Sequence, residues 1–103
     1  MITLEETKKW LRIDSDYEED DNLLLSLIAT SQIIIKTATG VPKNFEQNIT
    51  LSDSEELSEL YKMIQRVLIT DLFNEKSTEN KALTSLYTQL ELEYRRCLNN
   101  AKS

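Results

Sequence analysis

Residues 17–42 read YEEDDNLLLSLIATSQIIIKTATGVP, and this stretch decides the fold. Its apolar residues recur at three- and four-residue steps, the repeat of a helix face. Tyr17, Leu24, Ile28, Ser31, Ile35 and Ala38 form one stripe, with Leu23, Leu27 and Ile34 as a second beside it. Gly40, the single glycine, stands just past Ala38 and is followed by Pro42, as at a left-handed helix terminus that the chain cannot continue. A helix over about 17–38 is therefore predicted, with Ser15 and Glu18, or Asp16 and Glu19, as its capping box. The carboxylates of residues 14–21 favour its positive dipole end. Ser26, Thr30, Ser31 and Gln32 interrupt the apolar run of residues 23–35 well short of the roughly 20 residues that span a bilayer, which makes this a buried helix. So wide an apolar arc is either central in its own domain or shared with a neighbouring molecule.

Working outward, Thr3 and Glu6 match a capping box, which starts a helix over about 3–12 with Leu4, Trp10 and Leu11 as apolar cover. Trp10 reads as ordinary cover or as an interface anchor. Residues 41–52 (VPKNFEQNITLS) lack helical periodicity and form a long connector, in which residues 48–51 could be a short extended segment. Ser52 and Glu55 match another capping box, and Leu57, Leu60, Tyr61, Ile64, Val67, Leu68, Asp71 and Leu72 then carry a helix over about 53–75. Leu83, Leu86, Tyr87, Leu90, Tyr94, Cys97 and Leu98 carry the last, over about 81–99, beyond which the chain frays. The fold class is all-α: a small bundle of about four helices with a long connector between helices two and three, in one domain over 1–103. The expected core is Leu24, Ile28, Ile35, Leu60, Ile64, Leu68, Leu86, Leu90 and Tyr94.

Composition excludes more than it assigns. At 103 residues, 40% of them hydrophobic and 29% charged, the chain is one folded, soluble domain. With no His and one Cys it has neither a His-centred triad nor a structural zinc set, and one Gly rules out glycine-rich phosphate cradles. No catalytic site, metal site or cofactor is expected. The acidic run of residues 14–21 fails as a calcium loop, because Glu19 and Leu25 stand where Gly and a bidentate Glu are needed. Cys97 lies on an apolar stripe and is a core thiol in a reducing compartment. No secretory signal opens the chain, so Asn48-Ile49-Thr50 is not a glycosylation site. Twelve basic against 18 acidic residues give a net charge of -6, which opposes tight duplex binding. Arg95, Arg96 and Lys102 gather near the C-terminus, where they complement the negative end of the last helix or dock an acidic partner.

The order of elements resembles tailed-phage head-tail connector (head-completion adaptor) proteins. The opening Ile2-Thr3-Leu4-Glu5-Glu6 through Trp10-Leu11-Arg12-Ile13-Asp14 carries the likeness most strongly. It continues through the acidic residues 16–21, Leu24-Leu25-Ser26-Leu27-Ile28, Ala38-Thr39-Gly40, Leu72-Phe73-Asn74-Glu75-Lys76, Ser85-Leu86 and Tyr94-Arg95. At Lys76 the family more usually shows Arg. The resemblance implies a helical subunit that forms a homo-oligomeric ring, a dodecamer in the virion, beneath the portal protein. There it extends the DNA channel without binding DNA tightly and meets a tail-proximal connector or stopper protein. It further implies synthesis in the bacterial host cytoplasm from a phage or prophage, residence at the virion head-tail interface, and no membrane. The expected subunit interface is Leu23, Leu27, Ile34 and Trp10, and the expected portal-docking residues are Arg95, Arg96 and Lys102. The competing classes are a cytosolic helical protein-interaction regulator and, least favoured, an enzyme working with carboxylates alone.

Overall fold

The computed structural model describes residues 2–49, 51–74 and 81–102, the side chains of 51–54 and 100–102 excepted. Four helices make up the fold: α1 (Leu4–Trp10), α2 (Asp21–Thr39), α3 (Leu51–Phe73) and α4 (Lys81–Lys102). Helices α2, α3 and α4 pack on one another, and α1 lies across α2 and α3. The all-α bundle with its long connector is as the periodicity predicts.

α1 starts at the expected cap, since the Glu6 N–H donates to Thr3 Oγ1 at 3.1 Å. It ends earlier than expected, at Trp10, in a Schellman turn. The Ile13 N–H reaches back to the Lys8 carbonyl at 2.8 Å and the Arg12 N–H to that of Lys9 at 3.2 Å. Arg12 holds the left-handed position of this turn, with φ 59°, where a side chain is disfavoured and glycine is usual.

α2 begins at Asp21 rather than near 17, and neither expected capping box forms. The acidic residues fold into turns instead: the Tyr17 N–H donates to the Asp14 carbonyl at 3.0 Å and the Asp21 N–H to that of Glu18 at 3.1 Å. The Asp14 carboxylate is occupied by the Asp16 N–H at 3.2 Å, the local side-chain bond through which Asp favours turns over helix. Asp20 stands at the N-cap with no side-chain bond to the helix. Tyr17 is thus exposed and outside the buried stripe. At the other end Gly40 has φ 80° and its N–H bonds the Lys36 carbonyl at 2.8 Å, which is the left-handed stop expected there. Thr39, not Ala38, closes the stripe: its hydroxyl donates to the Ile35 carbonyl at 2.7 Å and accepts from the Val41 N–H at 3.1 Å.

The helix is not buried all round. Leu24, Ile28, Ser31, Ile35 and Thr39 face the bundle, whereas Leu25 and Ile33 are 51% and 65% exposed. By length and composition α2 is apolar enough to cross a membrane, contrary to the reading from its polar interruptions. In the bundle, Ser31 accepts a hydrogen bond from Gln65 Nε2 at 3.0 Å across to α3, so this polar interruption serves as an internal tie, while Ser26 and Thr30 are exposed.

The connector is more structured than its sequence suggests. Val41 and Phe45 are buried, and the Phe45 ring packs on Tyr61 at 5.2 Å between centroids. Residues Phe45–Asn48 form a short 3-10 helix rather than an extended segment, Ile49 adopts extended backbone, and Thr50 lies outside the described residues. α3 starts two residues earlier than expected, and the Ser52–Glu55 box lies outside the described side chains. α4 continues to Lys102 instead of fraying at Asn99.

Two apolar clusters hold the helices. The larger joins Ile35, Val41, Phe45, Leu57, Tyr61, Ile64, Leu68, Leu83 and Leu90, with Ile34, Leu60, Leu86 and Tyr94 half-buried against it. The smaller joins Ile2, Ile28 and Ile69, covered by Trp10, Leu11 and Leu27. Each fully buried aliphatic side chain contributes roughly 1.5–3 kcal/mol, so the larger cluster dominates stability. Cys97 is buried on α4.

Candidate functional site

The acidic loop between α1 and α2 is held by a single lysine. Lys8, on the last turn of α1, is 5% exposed, and its ammonium donates to the carbonyls of Tyr17 at 2.8 Å and Ser15 at 3.3 Å. It also pairs with Asp21 Oδ1 at 2.7 Å. A buried ammonium demands such partners, and three of them from the loop and the first turn of α2 fix the loop's path. Its carboxylates therefore splay outward: Asp14, Asp16, Glu18 and Glu19 are exposed, and among the described residues no acidic group converges to hold a metal ion. Tyr17 donates to Glu19 at 2.8 Å, and that bond, then burial and the nearby Asp20, raise its phenol above the ordinary value.

The expected interface residues divide by exposure. Leu23 is 49% exposed and free to meet another molecule. Leu27 and Ile34 are half-buried against the chain's own two clusters, so much of their surface is already spent internally. Leu27 and Ile34 are thus largely part of the monomer core, and the outward apolar residues of α2 are Leu23, Leu25 and Ile33. Trp10 covers the smaller cluster and stacks beneath Arg66, whose guanidinium carbon lies 5.7 Å from the ring centroid. It is cover for the domain, with one edge outward.

At the end of α4, Arg95 pairs with Glu91 at 2.6 Å and Arg96 with Glu93 at 2.8 Å, each one turn back on the same helix. Such exposed pairs contribute little to stability and exchange readily for an intermolecular partner. The side chain of Lys102 lies outside the described residues, as does Lys76. Sequence reasoning missed a cleft between the connector and α3, lined by Lys43, Phe45, Ser58, Tyr61, Lys62 and Gln65 among others. Burial pushes the Tyr61 phenol up to about 12 and raises that of Tyr87. Only the Tyr61 register on the α3 stripe hinted at it, because the other wall comes from a segment without periodicity.

The surface thus presents an exposed acidic loop, exposed apolar side chains on α2, and arginines on α4 held in ion pairs along their own helix. No curated protein and no solved structure matches the chain. The model of the phage gp6-like head-tail connector proteins matches residues 1–100, nearly the whole chain. The chain belongs to that family, and with it to the structural proteins of the phage head-tail junction.

Proposed function

We propose that this chain is the ring-forming subunit of the connector. Copies close into a ring, twelvefold in the virion, that docks beneath the portal protein, extends the DNA channel and receives the tail-proximal connector or stopper protein. The observation that carries the reading is the pair of exposed apolar side chains Leu25 and Ile33 on α2, joined by Leu23, in a member of a connector family. Single exposed apolar side chains are ordinary on a monomer, so it is the family match that gives these three their meaning, as surface that a neighbouring subunit can bury. Leu23 and the outer edges of Leu27, Ile34 and Trp10 form the proposed contact on one side, with Arg95, Arg96 and Lys102 toward the portal. The net charge of -6 keeps DNA sliding rather than bound. In this reading the chain has no catalytic role, needs no cofactor, is made in the host cytoplasm and resides in the virion.

Light scattering over a range of concentrations, with and without purified portal, tests the reading. The expected result is a species at a large multiple of 12.0 kDa, either alone or on portal. A monomer or dimer under every condition refutes the ring and favours a regulator of one protein partner.

A further inference from the structure

The outward face of α2 is built symmetrically about Ala29. Leu25, Ala29 and Ile33 follow one another at steps of four and so share one face of the helix. Leu25 is 51% and Ile33 65% exposed, and Ala29 between them is exposed too. Seven residues to either side of Ala29, where two helical turns return to nearly the same direction, stand exposed Asn22 and exposed Lys36.

The two ends of this face differ in charge. Its N-terminal end follows the acidic run, where Glu18 and Glu19 are exposed, Asp20 is half-buried and Asp21 is held by Lys8. At its C-terminal end Lys36 and Lys43 flank a shallow groove with Ala29, Ile33 and Pro42, and among the described residues no acidic side chain lines it. Glu46, Glu55 and Glu59 gather with Ser58 around a separate cleft toward α3. Glu46 also shares a cleft with Lys43 and offsets part of its charge, so Lys36 carries most of the positive field on this face.

A surface with a small residue at its centre, an apolar side chain on each side and opposite charges at its ends is complementary to itself turned end for end. When two copies of α2 lie antiparallel about Ala29, Leu25 of each meets Ile33 of the other, and each acidic end lies over the other's Lys36. The helix dipoles favour the same order. Parallel pairing would set acid on acid, in chains that already carry -6 each.

We infer that the free subunit pairs with a second copy through this face, antiparallel across a two-fold axis at Ala29. An isologous contact of this kind closes at two, so the pair cannot grow. The inference rests on the ring reading, which gives Leu25 and Ile33 to a neighbouring subunit: the pair masks that surface until portal is present. One helix face is narrower than the roughly 1,600 Å² of a standard interface, so the pair is weak and gives way to the ring.

Sedimentation equilibrium of the full chain without portal tests the pair, and oxidative cross-linking tests its geometry, with wild type as the control because its Cys97 is buried. Wild type should pass from monomer to dimer and no further, and Ile33→Glu should weaken the dimer at least roughly tenfold at an unchanged melting temperature. Ala29→Cys should link to itself. Leu25→Cys should not, because the two Leu25 positions stand roughly 12 Å apart along the helix axes, but it should link to Ile33→Cys when the two are mixed. A wild type that stays monomeric, one that grows past dimer without portal, or a Leu25→Cys that links to itself overturns the pair and leaves the ring standing. The linked Ala29→Cys dimer should fail to load on portal and recover on reduction, and loading while linked overturns the masking. A wild type that pairs but never loads on portal overturns the ring reading, and the masking with it.

Discussion

Replacing Lys8 by methionine keeps the aliphatic stem and removes only the ammonium, so the substitution isolates the clamp on the acidic loop. Two carbonyls lose their donor, Tyr17 at 2.8 Å and Ser15 at 3.3 Å, and Asp21 Oδ1 loses its ion-pair partner at 2.7 Å. Breaking a fully buried pair from one side costs about 3–5 kcal/mol. Here the Asp21 side chain keeps 28% of its exposure and the residues bearing the carbonyls are exposed, so water re-solvates much of what is released. The expected loss is about 2 kcal/mol, near a fifth of the stability of a typical domain. For a chain of this size it corresponds to a melting temperature lower by roughly 8–15 °C. Thermal and urea denaturation followed by circular dichroism read the change, with Lys9→Met as the control. Lys9 is exposed on the same helix and should cost no more than about 0.5 kcal/mol. Coupling between Lys8 and Asp21 is then checked by adding Asp21→Asn, whose cost should shrink when Lys8→Met is already present. Equal melting temperatures for the Lys8 and Lys9 variants would refute the clamp.

Arg12→Gly should raise stability by about 0.5–1 kcal/mol, because glycine adopts φ 59° without steric cost; a lower melting temperature would mean that the arginine side chain stabilises the subunit. Ile34→Glu should lower the melting temperature by placing a charge against the larger cluster, whereas Ile33→Glu should leave it unchanged and weaken association, a contrast that sedimentation and melting curves resolve together. Tyr61 has a phenol raised by burial, so its contribution to stability is complete below pH 10 and is lost as pH rises toward 12; urea titrations across that window should show the fall in wild type reduced in Tyr61→Phe. Arg95→Glu with Arg96→Glu should keep the helix and abolish capture by portal, and undiminished capture would leave these arginines as helix-capping groups only.

Much of the fold was legible because it depends on short-range chemistry. Gly40 before Pro42 and Thr3 before Glu6 each satisfy or terminate a helix within one turn, and both behave as read. The α3 and α4 stripes are legible for the same reason, since Ile64, Leu68, Leu83 and Leu90 repeat at the helical period. The start of α2 was not, because Asp14 can bond its own loop as readily as a helix terminus, and only Lys8 decides which. Nothing in Thr7-Lys8-Lys9-Trp10 distinguishes the buried lysine from its exposed neighbour. Val41 and Phe45 went unread because a connector folds by long-range packing and carries no period of its own. The candidate surfaces suffer most, because which edge of α2 faces outward depends on where α3 and α4 lie. The stripe with Leu27 and Ile34 and the edge with Leu25 and Ile33 look alike until those helices are placed.

The division of the interior into two clusters has a consequence for how the subunit breathes. α2 is their common beam, with Ile28 in one and Ile35 in the other. Lifting α1 away uncovers only the smaller cluster and the Lys8 clamp, while the contacts of Ile35, Leu57, Ile64, Leu68 and Leu90 persist. Amide hydrogens of α1 and the acidic loop should therefore exchange through a partial opening, at a free energy well below that of α3, which hydrogen exchange followed residue by residue would read. The first twenty residues behave as a latch on a rigid frame, closed by one small knot of isoleucines and one lysine.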